Sequence, residues 1–312
     1  MTFKEDAMMT MKKIVVAGGG TLGSQIAYQT AFSGFDVTLY DINAGAISAA
    51  KRRMTTWDQA YAHEVHATPE QIQATNARLT YETDLGVAVT DADLVIEAIP
   101  EVVDIKNEFY SHLAQVAPAK TIFATNTSTL LPSQFAAITQ RPEKFLALHF
   151  ANHIWANNTA EIMGHPTTDP AVYETVVDFA HAIGMITIEL HKEQSGYVLN
   201  SLLIPWVDAA LILWVKGIAD VETIDKTWML AGGSPIGPFG ILDEVGLRTA
   251  YNIMLAASQQ PGKEDLVTVV QKLKVDMLDQ NKLGQESGQG FYHYPDPAFR
   301  QSEFLTNNVT SL

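Results

Sequence analysis

The chain has 312 residues, 47% hydrophobic and 18% charged, and a formal net charge of −15 at pH 7. This length and composition are typical of a globular protein with room for two domains. The acidic charge argues against nucleic acid or an anionic membrane as a partner, and the lack of cysteine excludes disulfides, thiolate catalysis and cysteine-based zinc sites.

The N-terminal residues 1–11 show no hydrophobic periodicity, and we expect them to form a flexible lead. They lack the apolar core of a secretory signal peptide, and charge or proline interrupts every apolar stretch before it reaches the length of a membrane-spanning helix. We therefore expect a cytoplasmic protein.

A glycine-rich segment follows the first predicted strand. The apolar run 14–17 predicts a buried parallel strand, and it passes directly into GGGTLG and a helical pattern. The first glycine permits a tight turn, the second lets backbone N–H groups approach a pyrophosphate, and the third lets the helix pack closely on the sheet. The predicted dinucleotide-binding residues of this loop are Gly18, Gly20, Thr21, Leu22 and Gly23.

An acidic residue ends the second predicted strand. Residues 35–40 predict that strand, and Asp41 follows it, 23 residues after Gly18. A carboxylate at this point binds the adenosine ribose hydroxyls and repels a 2′-phosphate, so the sequence favours NAD over NADP. The alternative role for Asp41 is the N-cap of the helical stretch that begins at Ala44.

A helical pair is predicted over residues 46–76. Thr68-Pro69-Glu70 has the pattern of a cap with proline at the first helical position, which predicts that a short second helix begins there. His63 and His66 lie three residues apart in this pair. We interpret them as solvated surface histidines, because no further ligand completes a metal set, and we predict no metal site.

Polar residues lie at the ends of several later strands. A buried strand is predicted at 94–99, and further strands at 121–124, 145–150 and 185–190. The small polar run TNTST follows the strand at 121–124. His149 lies in the strand at 145–150, and the short apolar segment 159–163 carries Glu161. Ligands of open α/β sheets bind at the carboxyl ends of the strands, so these residues predict a site there.

After Gln194 the sequence patterns predict helices and no further strands. A long apolar helix is predicted over 195–215, interrupted by Pro205, and helical patterns follow at 219–231, 240–257 and 263–278. We therefore predict an α/β protein in which residues 1–194 form an NAD-binding, Rossmann-type domain with a doubly wound, mainly parallel sheet. Residues 195–312 then form a smaller all-α domain whose apolar helices are candidates for a subunit interface.

Taken together, the motifs resemble the L-3-hydroxyacyl-CoA dehydrogenase family from about residue 12 to residue 294. The resemblance implies a Rossmann-type domain, a helical dimerisation domain and NAD-dependent interconversion of small-molecule L-3-hydroxyacyl and 3-oxoacyl compounds. The matching segments are AGGGTLGSQIA, VIEAIPE, TNTST, LHFAN, the Glu161 segment, GYVLNSLL, GPFGILDEVGL and GQGFY.

The resemblance also implies roles for individual residues. His149 becomes the general acid/base and Glu161 the residue that orients it, and imidazole chemistry near pH 7 suits transfer of an alcohol proton. Ser128 and Asn200 become polar partners of the reacting oxygen and of the imidazole. The residues implied to surround the nicotinamide end of the cofactor are Glu101, Lys106, Asn152 and Ser128.

The sequence departs from the family pattern in the substrate-facing loop and in the segments that the resemblance implies would contact coenzyme A. His153 replaces a proline after the His-Phe pair, and Gln285 and Glu286 replace lysines near the C-terminal Gly-x-Gly-Phe-Tyr turn. The phosphates of coenzyme A need cationic partners, yet the helical pair offers few. Its bases are Lys51, Arg52, Arg53 and Arg78.

Three interpretations follow from these departures. The first is a 3-hydroxyacyl-CoA dehydrogenase, and the second is a diketoreductase-like enzyme that reduces β-keto or 3,5-dioxo esters without coenzyme A. The third is a non-catalytic, crystallin-like binding or structural protein. The intact pair of His149 and Glu161 favours an enzyme.

Overall fold

The computed structural model describes residues 11–306 of the chain. The predicted flexible lead therefore lies outside the described residues, except for Met11. The chain divides into two compact units, Met1–Leu199 and Asn200–Leu312. Of the helices in the described part, none combines the length and hydrophobicity that a membrane span requires.

The first unit is built on one eight-stranded sheet with the spatial order β3-β2-β1-β4-β5-β6-β7-β8. Strands β1 to β6 are mutually parallel, β7 is antiparallel to β6, and β8 is parallel to β7. The predicted Rossmann-type sheet is confirmed. The strands are β1 (Lys13–Ala17), β2 (Asp36–Tyr40), β3 (Leu79–Glu82), β4 (Leu94–Glu97), β5 (Ile122–Thr125), β6 (Phe145–Phe150), β7 (Thr159–Met163) and β8 (Ile186–Leu190).

Helices cover both faces of this sheet, which explains why its central strands are apolar without alternation. Ile14 and Val16 pack in one core cluster with the helices over residues 21–32 and 170–182, whereas Val15 and Ala17 pack in another with the helices over residues 85–89 and 103–116. The helices of this unit are α1 (Thr21–Phe32), α2 (Ala44–Glu64), α3 (Pro69–Ala77), α4 (Leu85–Val89), α5 (Val103–Val116) and α6 (Pro170–Ala182).

The predicted helical pair is confirmed as α2 and α3. Thr68 caps α3 through a reciprocal capping box with Gln71, as the Thr-Pro-Glu pattern predicts. His63 and His66 are exposed. The sequence did not predict β3 and α4, because each is short and only one residue of β3 is buried.

The second unit is helical, as predicted. Its 240–257 pattern forms two helices rather than one, because the chain turns at Gly246, whose φ is +90°. The helices are α7 (Leu199–Val215, which begins at the last residue of the first unit and contains Pro205), α8 (Val221–Gly232), α9 (Pro238–Val245), α10 (Leu247–Ala257) and α11 (Asp265–Asp276). Short 3₁₀ turns lie at Pro132–Gln134, Pro142–Lys144, Leu278–Gln280, Gln285–Ser287 and Ala298–Arg300.

Two buried aspartates organise the second unit. Asp225 accepts hydrogen bonds from two backbone N–H groups at the start of α9, whose own N-cap residue is a glycine. Asp243 accepts backbone N–H groups of residues 291 and 292 at 2.9 and 2.8 Å. Burial raises the pKa of Asp243 to about 6. The GPFGILDEVGL and GQGFY segments are thus joined by a carboxylate in the core.

Candidate active site

The glycine loop joins β1 to α1 at the carboxyl edge of the sheet. Gly18 has a φ of +105°, and a Cβ atom there would lie 2.4 Å from the Ala98 carbonyl oxygen. A Cβ on Gly23 would lie 2.0 Å from the Gly18 carbonyl oxygen, whereas a Cβ on Gly20 would meet no atom within 4 Å. The first and third glycines are therefore required for packing, and the second borders open space.

The start of α1 is left without a side-chain cap. Within residues 11–306, no side chain caps α1 at Gly20. The first-turn N–H groups of a helix lack intrahelical partners and carry partial positive charge. Together with the space at Gly20, they fit the pyrophosphate of a dinucleotide. In the described part of the chain, five other helices are capped by the side chains of Asn43, Thr68, Asp84, Asp169 and Asp220, whereas α5, α10 and α11 also have no side-chain cap.

Asp41 is held against the glycine loop. Its Oδ2 accepts the Gly19 N–H at 2.8 Å and its Oδ1 accepts the Ile42 N–H at 2.8 Å. The N-cap of α2 is Asn43, which accepts the Ala46 N–H, so the alternative role of Asp41 as a helix cap is wrong. Each carboxylate oxygen retains a lone pair, which fits the predicted contact with ribose hydroxyls.

Exchanging Asp41 for serine is expected to lower the preference for NADH over NADPH by about tenfold or more, because a carboxylate repels the 2′-phosphate. The measurement is kcat/KM for both coenzymes with one carbonyl substrate. Asp36→Asn is the matched control, because Asp36 is exposed at the opposite end of β2. An unchanged coenzyme ratio in Asp41→Ser would show that another group sets the selectivity.

His149 and Glu161 are cross-strand partners in the antiparallel pair β6 and β7. The His149 Nδ1 atom lies 3.0 Å from Glu161 Oε2, and both residues are buried. Glu161 Oε1 accepts the N–H groups of Val198 and Leu199, both at 2.9 Å. Burial raises the pKa of Glu161, but the hydrogen bonds from His149 and from these two N–H groups outweigh it and lower the pKa.

An ionised Glu161 fixes the tautomer of His149. Because a carboxylate only accepts hydrogen bonds, the imidazole carries its proton on Nδ1, and Nε2 is left as the acceptor nitrogen. The Tyr197 ring stacks on the imidazole with centroids 4.7 Å apart and an interplanar angle of 21°. The stacking on Tyr197 thus restrains the orientation of the imidazole ring, and the contact with Glu161 holds its Nδ1 atom.

The polar run after β5 lies between β4 and β6. Asn126 Oδ1 accepts the Phe150 N–H at 2.9 Å, which ties this run to the strand that carries His149. The Ser128 N–H donates to Glu101 Oε1 at 3.0 Å, and Ser128 is exposed. The run therefore presents Ser128 at the edge where β4, β5 and β6 end.

Lys106 is buried rather than solvated on the surface of its helix. Its Nζ lies 2.6 Å from Glu97 Oε1 and 3.1 Å from Glu101 Oε2. The side chains of Lys106 and Glu97 are each 1% exposed, whereas that of Glu101 is 38% exposed. Burial raises the pKa of Glu101, but a hydrogen bond from Thr127 and the charge of Lys106 outweigh it and lower the pKa.

The loop after β6 carries Asn152 and His153. Asn152 is exposed and its carbonyl oxygen accepts the Asn157 side chain. His153 has a φ of +60°, and its N–H donates to Gln25 Oε1 at 2.9 Å. Gln25 is buried in α1, so the helix of the glycine loop also fixes this loop.

The structure joins the predicted residues in three groups: the glycine loop with Asp41, His149 with Glu161, and Glu101 with Lys106 and Ser128. Asn200 begins the second unit, and its predicted contact with the imidazole stays a prediction. Across residues 11–306, no group of three or more histidine or acidic side chains is arranged to hold a metal ion.

Sequence reasoning missed four residues that support the site. Glu97 and Gln25 each carried a signal, since each is a polar residue within a segment that packs in the core. Asn126 belongs to the polar run, but its contact with β6 had no signal in the sequence, and neither had the stacking of Tyr197. The missed residues are Gln25, Glu97, Asn126 and Tyr197.

Comparison with known protein families gives two matches that together cover most of the chain. Residues 13–194 match the NAD binding domain of 3-hydroxyacyl-CoA dehydrogenase, and residues 196–294 match its C-terminal domain. The chain is 32% identical over 289 residues to the mitochondrial hydroxyacyl-coenzyme A dehydrogenase of Homo sapiens, covering 91% of each chain. It is 31% identical to a probable 3-hydroxybutyryl-CoA dehydrogenase of Bacillus subtilis (strain 168), covering 92% of this chain and 99% of that protein.

A solved structure shows a higher similarity. It is that of a diketoreductase described by its substrate-directed dual catalysis of dicarbonyl compounds. The two chains are 54% identical and superpose with a TM-score of 0.87, covering 91% of this chain and 99% of that one.

Proposed function

This chain belongs to the 3-hydroxyacyl-CoA dehydrogenase family and is an NAD-dependent oxidoreductase acting on CH–OH groups, and we propose that His149 is its general acid/base. The observation that carries this proposal is the buried contact of His149 Nδ1 with an ionised Glu161. It leaves one nitrogen of a fixed imidazole for proton exchange. The reaction is the interconversion of a 3-hydroxy and a 3-oxo compound.

The protein supplies the proton and the oriented dipoles of this reaction. When bound, NAD would supply the hydride acceptor of the oxidation and, as NADH, the hydride donor of the reduction. In oxidation, His149 Nε2 accepts the hydroxyl proton, and Glu161 stabilises the imidazolium that forms. In reduction, the imidazolium returns that proton to the carbonyl oxygen as alkoxide character develops. Ser128 donates to the same oxygen, and one such donor contributes about 10²–10³ in rate.

The cofactor is held, in this proposal, along the carboxyl edge of the sheet. The first-turn N–H groups of α1 would hold the pyrophosphate, and Asp41 would bind the adenosine ribose. Glu101, Lys106 and Asn152 would hold the nicotinamide end. The loop residues that bind the dinucleotide are Gly18, Gly20, Thr21, Leu22 and Gly23.

We further propose that the substrate is a β-dicarbonyl compound without coenzyme A. The diketoreductase at 54% identity supports this substrate class. The helical pair and Arg78, the residue after α3, carry four lysine and arginine side chains in all. Three of these four already have partners within the protein. Arg53 donates to the Gly19 carbonyl at 2.9 Å, Lys51 lies 4.7 Å from the Tyr81 ring centroid, and Arg78 donates to Ala74.

The test is NADH oxidation with a matched panel of a 3,5-dioxo ester, a 3-oxo ester and acetoacetyl-CoA. We expect kcat/KM for the better ester to exceed that for acetoacetyl-CoA by about tenfold or more, because this helical pair offers few free cations for the phosphates of coenzyme A. Preference for acetoacetyl-CoA would assign the chain to the CoA-dependent enzymes. Saturable NADH binding without turnover of any β-keto compound would instead indicate a non-catalytic, crystallin-like protein.

The remaining assignments are proposals of the same kind. Residues 1–194 form the NAD-binding domain, and residues 195–312 form a helical domain through which the chain forms a homodimer. The zero cysteine content is suited to the reducing cytoplasm, where we place the protein.

A further inference from the structure

Two carboxylates share one buried ammonium group at the carboxyl edge of the sheet. We refer to Glu97, Lys106 and Glu101 as the charge triad. Lys106 Nζ contacts Glu97 at 2.6 Å and Glu101 at 3.1 Å. With both acids ionised and the lysine protonated, the charge triad carries one net negative charge.

Glu97 is enclosed and saturated with donors. Its Oε1 accepts Lys106 Nζ and the Ile99 N–H, and its Oε2 accepts the hydroxyls of Tyr110 and Thr125 at 2.8 Å each. An ionised carboxylate is the acceptor-only group that four such donors suit. Glu97 is buried, so we expect it to act on a ligand through its charge and its hold on Lys106 rather than by direct contact.

Glu101 is the open end of the charge triad. Its Oε1 accepts the N–H groups of Ser128 and Thr129 at 3.0 and 3.3 Å and the hydroxyl of Thr127. Of the three side chains of the charge triad, only that of Glu101 is more than a third exposed. The net charge of the triad is therefore presented at this end, beside Ser128.

A structural role alone is a weak explanation for this arrangement. A buried ion pair is often no more stabilising than a well-packed apolar pair of the same volume. Moreover, one carboxylate would have been enough to neutralise the lysine. The second carboxylate leaves an excess charge at the edge of the sheet where ligands of this fold class bind.

We infer that Glu97 is a positioning residue that sets the net charge facing the nicotinamide, and so sets the relative affinities for NAD+ and NADH. The inference rests on the proposed placement of Glu101 and Lys106 at the nicotinamide end. The ring is cationic in NAD+ and neutral in NADH, so a net negative triad favours NAD+. Without the charge of Glu97, the charges of Lys106 and Glu101 cancel, and the preference for NAD+ over NADH is lost.

The test is the ratio of the dissociation constants, Kd for NAD+ over Kd for NADH, measured by isothermal titration calorimetry. In Glu97→Gln the ratio is expected to rise about three- to tenfold, the scale of one unit charge acting over several ångströms with partial screening. The glutamine is well matched, because its oxygen still accepts from Lys106 while its amide donates to the Tyr110 and Thr125 hydroxyls.

Two further variants separate charge from structure. Glu97→Gln combined with Lys106→Met restores one net negative charge, and its ratio is expected to return to within about twofold of wild type. Tyr110→Phe removes one hydrogen bond from Glu97 without changing the charge, so its ratio is expected to stay unchanged. If Glu97→Gln does not fold, Glu101→Gln removes the same charge from the open end and is expected to raise the ratio at least as much.

Equal weakening of both coenzymes in Glu97→Gln would overturn the inference and make Glu97 structural. A double variant whose ratio departs further from wild type than that of Glu97→Gln would overturn it as well. Both binding constants are measured without a carbonyl substrate. If the protein turns over no β-keto compound but Glu97→Gln shifts the ratio of dissociation constants, the proposed function is refuted and this inference is supported. If the protein turns over a β-keto compound but Glu97→Gln leaves the ratio unchanged, the proposed function stands and this inference is refuted.

Discussion

Replacing His149 with glutamine is expected to lower kcat for carbonyl reduction by about 10²–10⁴-fold, the usual contribution of a general acid. Glutamine retains a hydrogen-bonding group of similar size but holds no proton that it can transfer at neutral pH. The dissociation constant for NADH is expected to stay within about twofold, because His149 contacts Glu161 and Tyr197 and not the glycine loop. Steady-state NADH oxidation and a fluorescence titration with NADH measure the two quantities.

His112→Gln is the matched control, since His112 is an exposed histidine of α5 and its loss is expected to leave kcat unchanged. A His149→Gln enzyme with more than about a tenth of the wild-type kcat would contradict general acid catalysis by this residue. Loss of NADH binding together with activity would indicate that His149 is structural.

Replacing Gly290 with alanine is expected to lower the free energy of unfolding by about 3 kcal/mol or more. A Cβ atom there would lie 2.0 Å from Asp243 Oδ1 and 2.5 Å from its Cγ. The carboxylate would have to move away from the N–H groups of residues 291 and 292, which would leave buried donors without partners. Thermal and denaturant unfolding followed by circular dichroism measure the loss.

Gly232→Ala tests whether the effect comes from the clash rather than from the loss of a glycine. A Cβ on Gly232, at the end of α8, would lie 3.6 Å from the nearest heavy atom, on Trp228. That variant is expected to be as stable as wild type or slightly more stable, because alanine is favoured in a helix. If Gly290→Ala unfolded at the wild-type temperature, the packing of Asp243 described above would be wrong.

The sequence predicted those parts of the fold that depend on local pattern. The strand, glycine loop and helix over 14–32 follow from contiguous residues, as do the NAD preference argued from Asp41 and the cap at Thr68. Short edge elements escaped the same reasoning. Strand β3 buries only Leu79 fully, so its segment carries too few apolar residues to stand out from a loop.

The residues of the candidate site could be named from the sequence, whereas most of their contacts could not. Glu161 was recognised, but its place opposite His149 depends on β7 running antiparallel to β6, which no local pattern specifies. The stacking of Tyr197 on the imidazole depends on a turn far along the chain. Glu97 stood in a strand that matched the prediction, and only the fold showed that its carboxylate contacts Lys106.

Because the start of α1 has no side-chain cap, coenzyme that bound there would add to the stability of the folded protein. A bound pyrophosphate would satisfy first-turn N–H groups of α1, as Asn43 and Thr68 do in their own helices, so the dinucleotide would stabilise this helix as well as take part in the reaction. Any ligand that binds only the folded chain stabilises it in proportion to the logarithm of its free concentration. The lifetime of the protein in a cell would then rise and fall with the nicotinamide pool on which its activity depends.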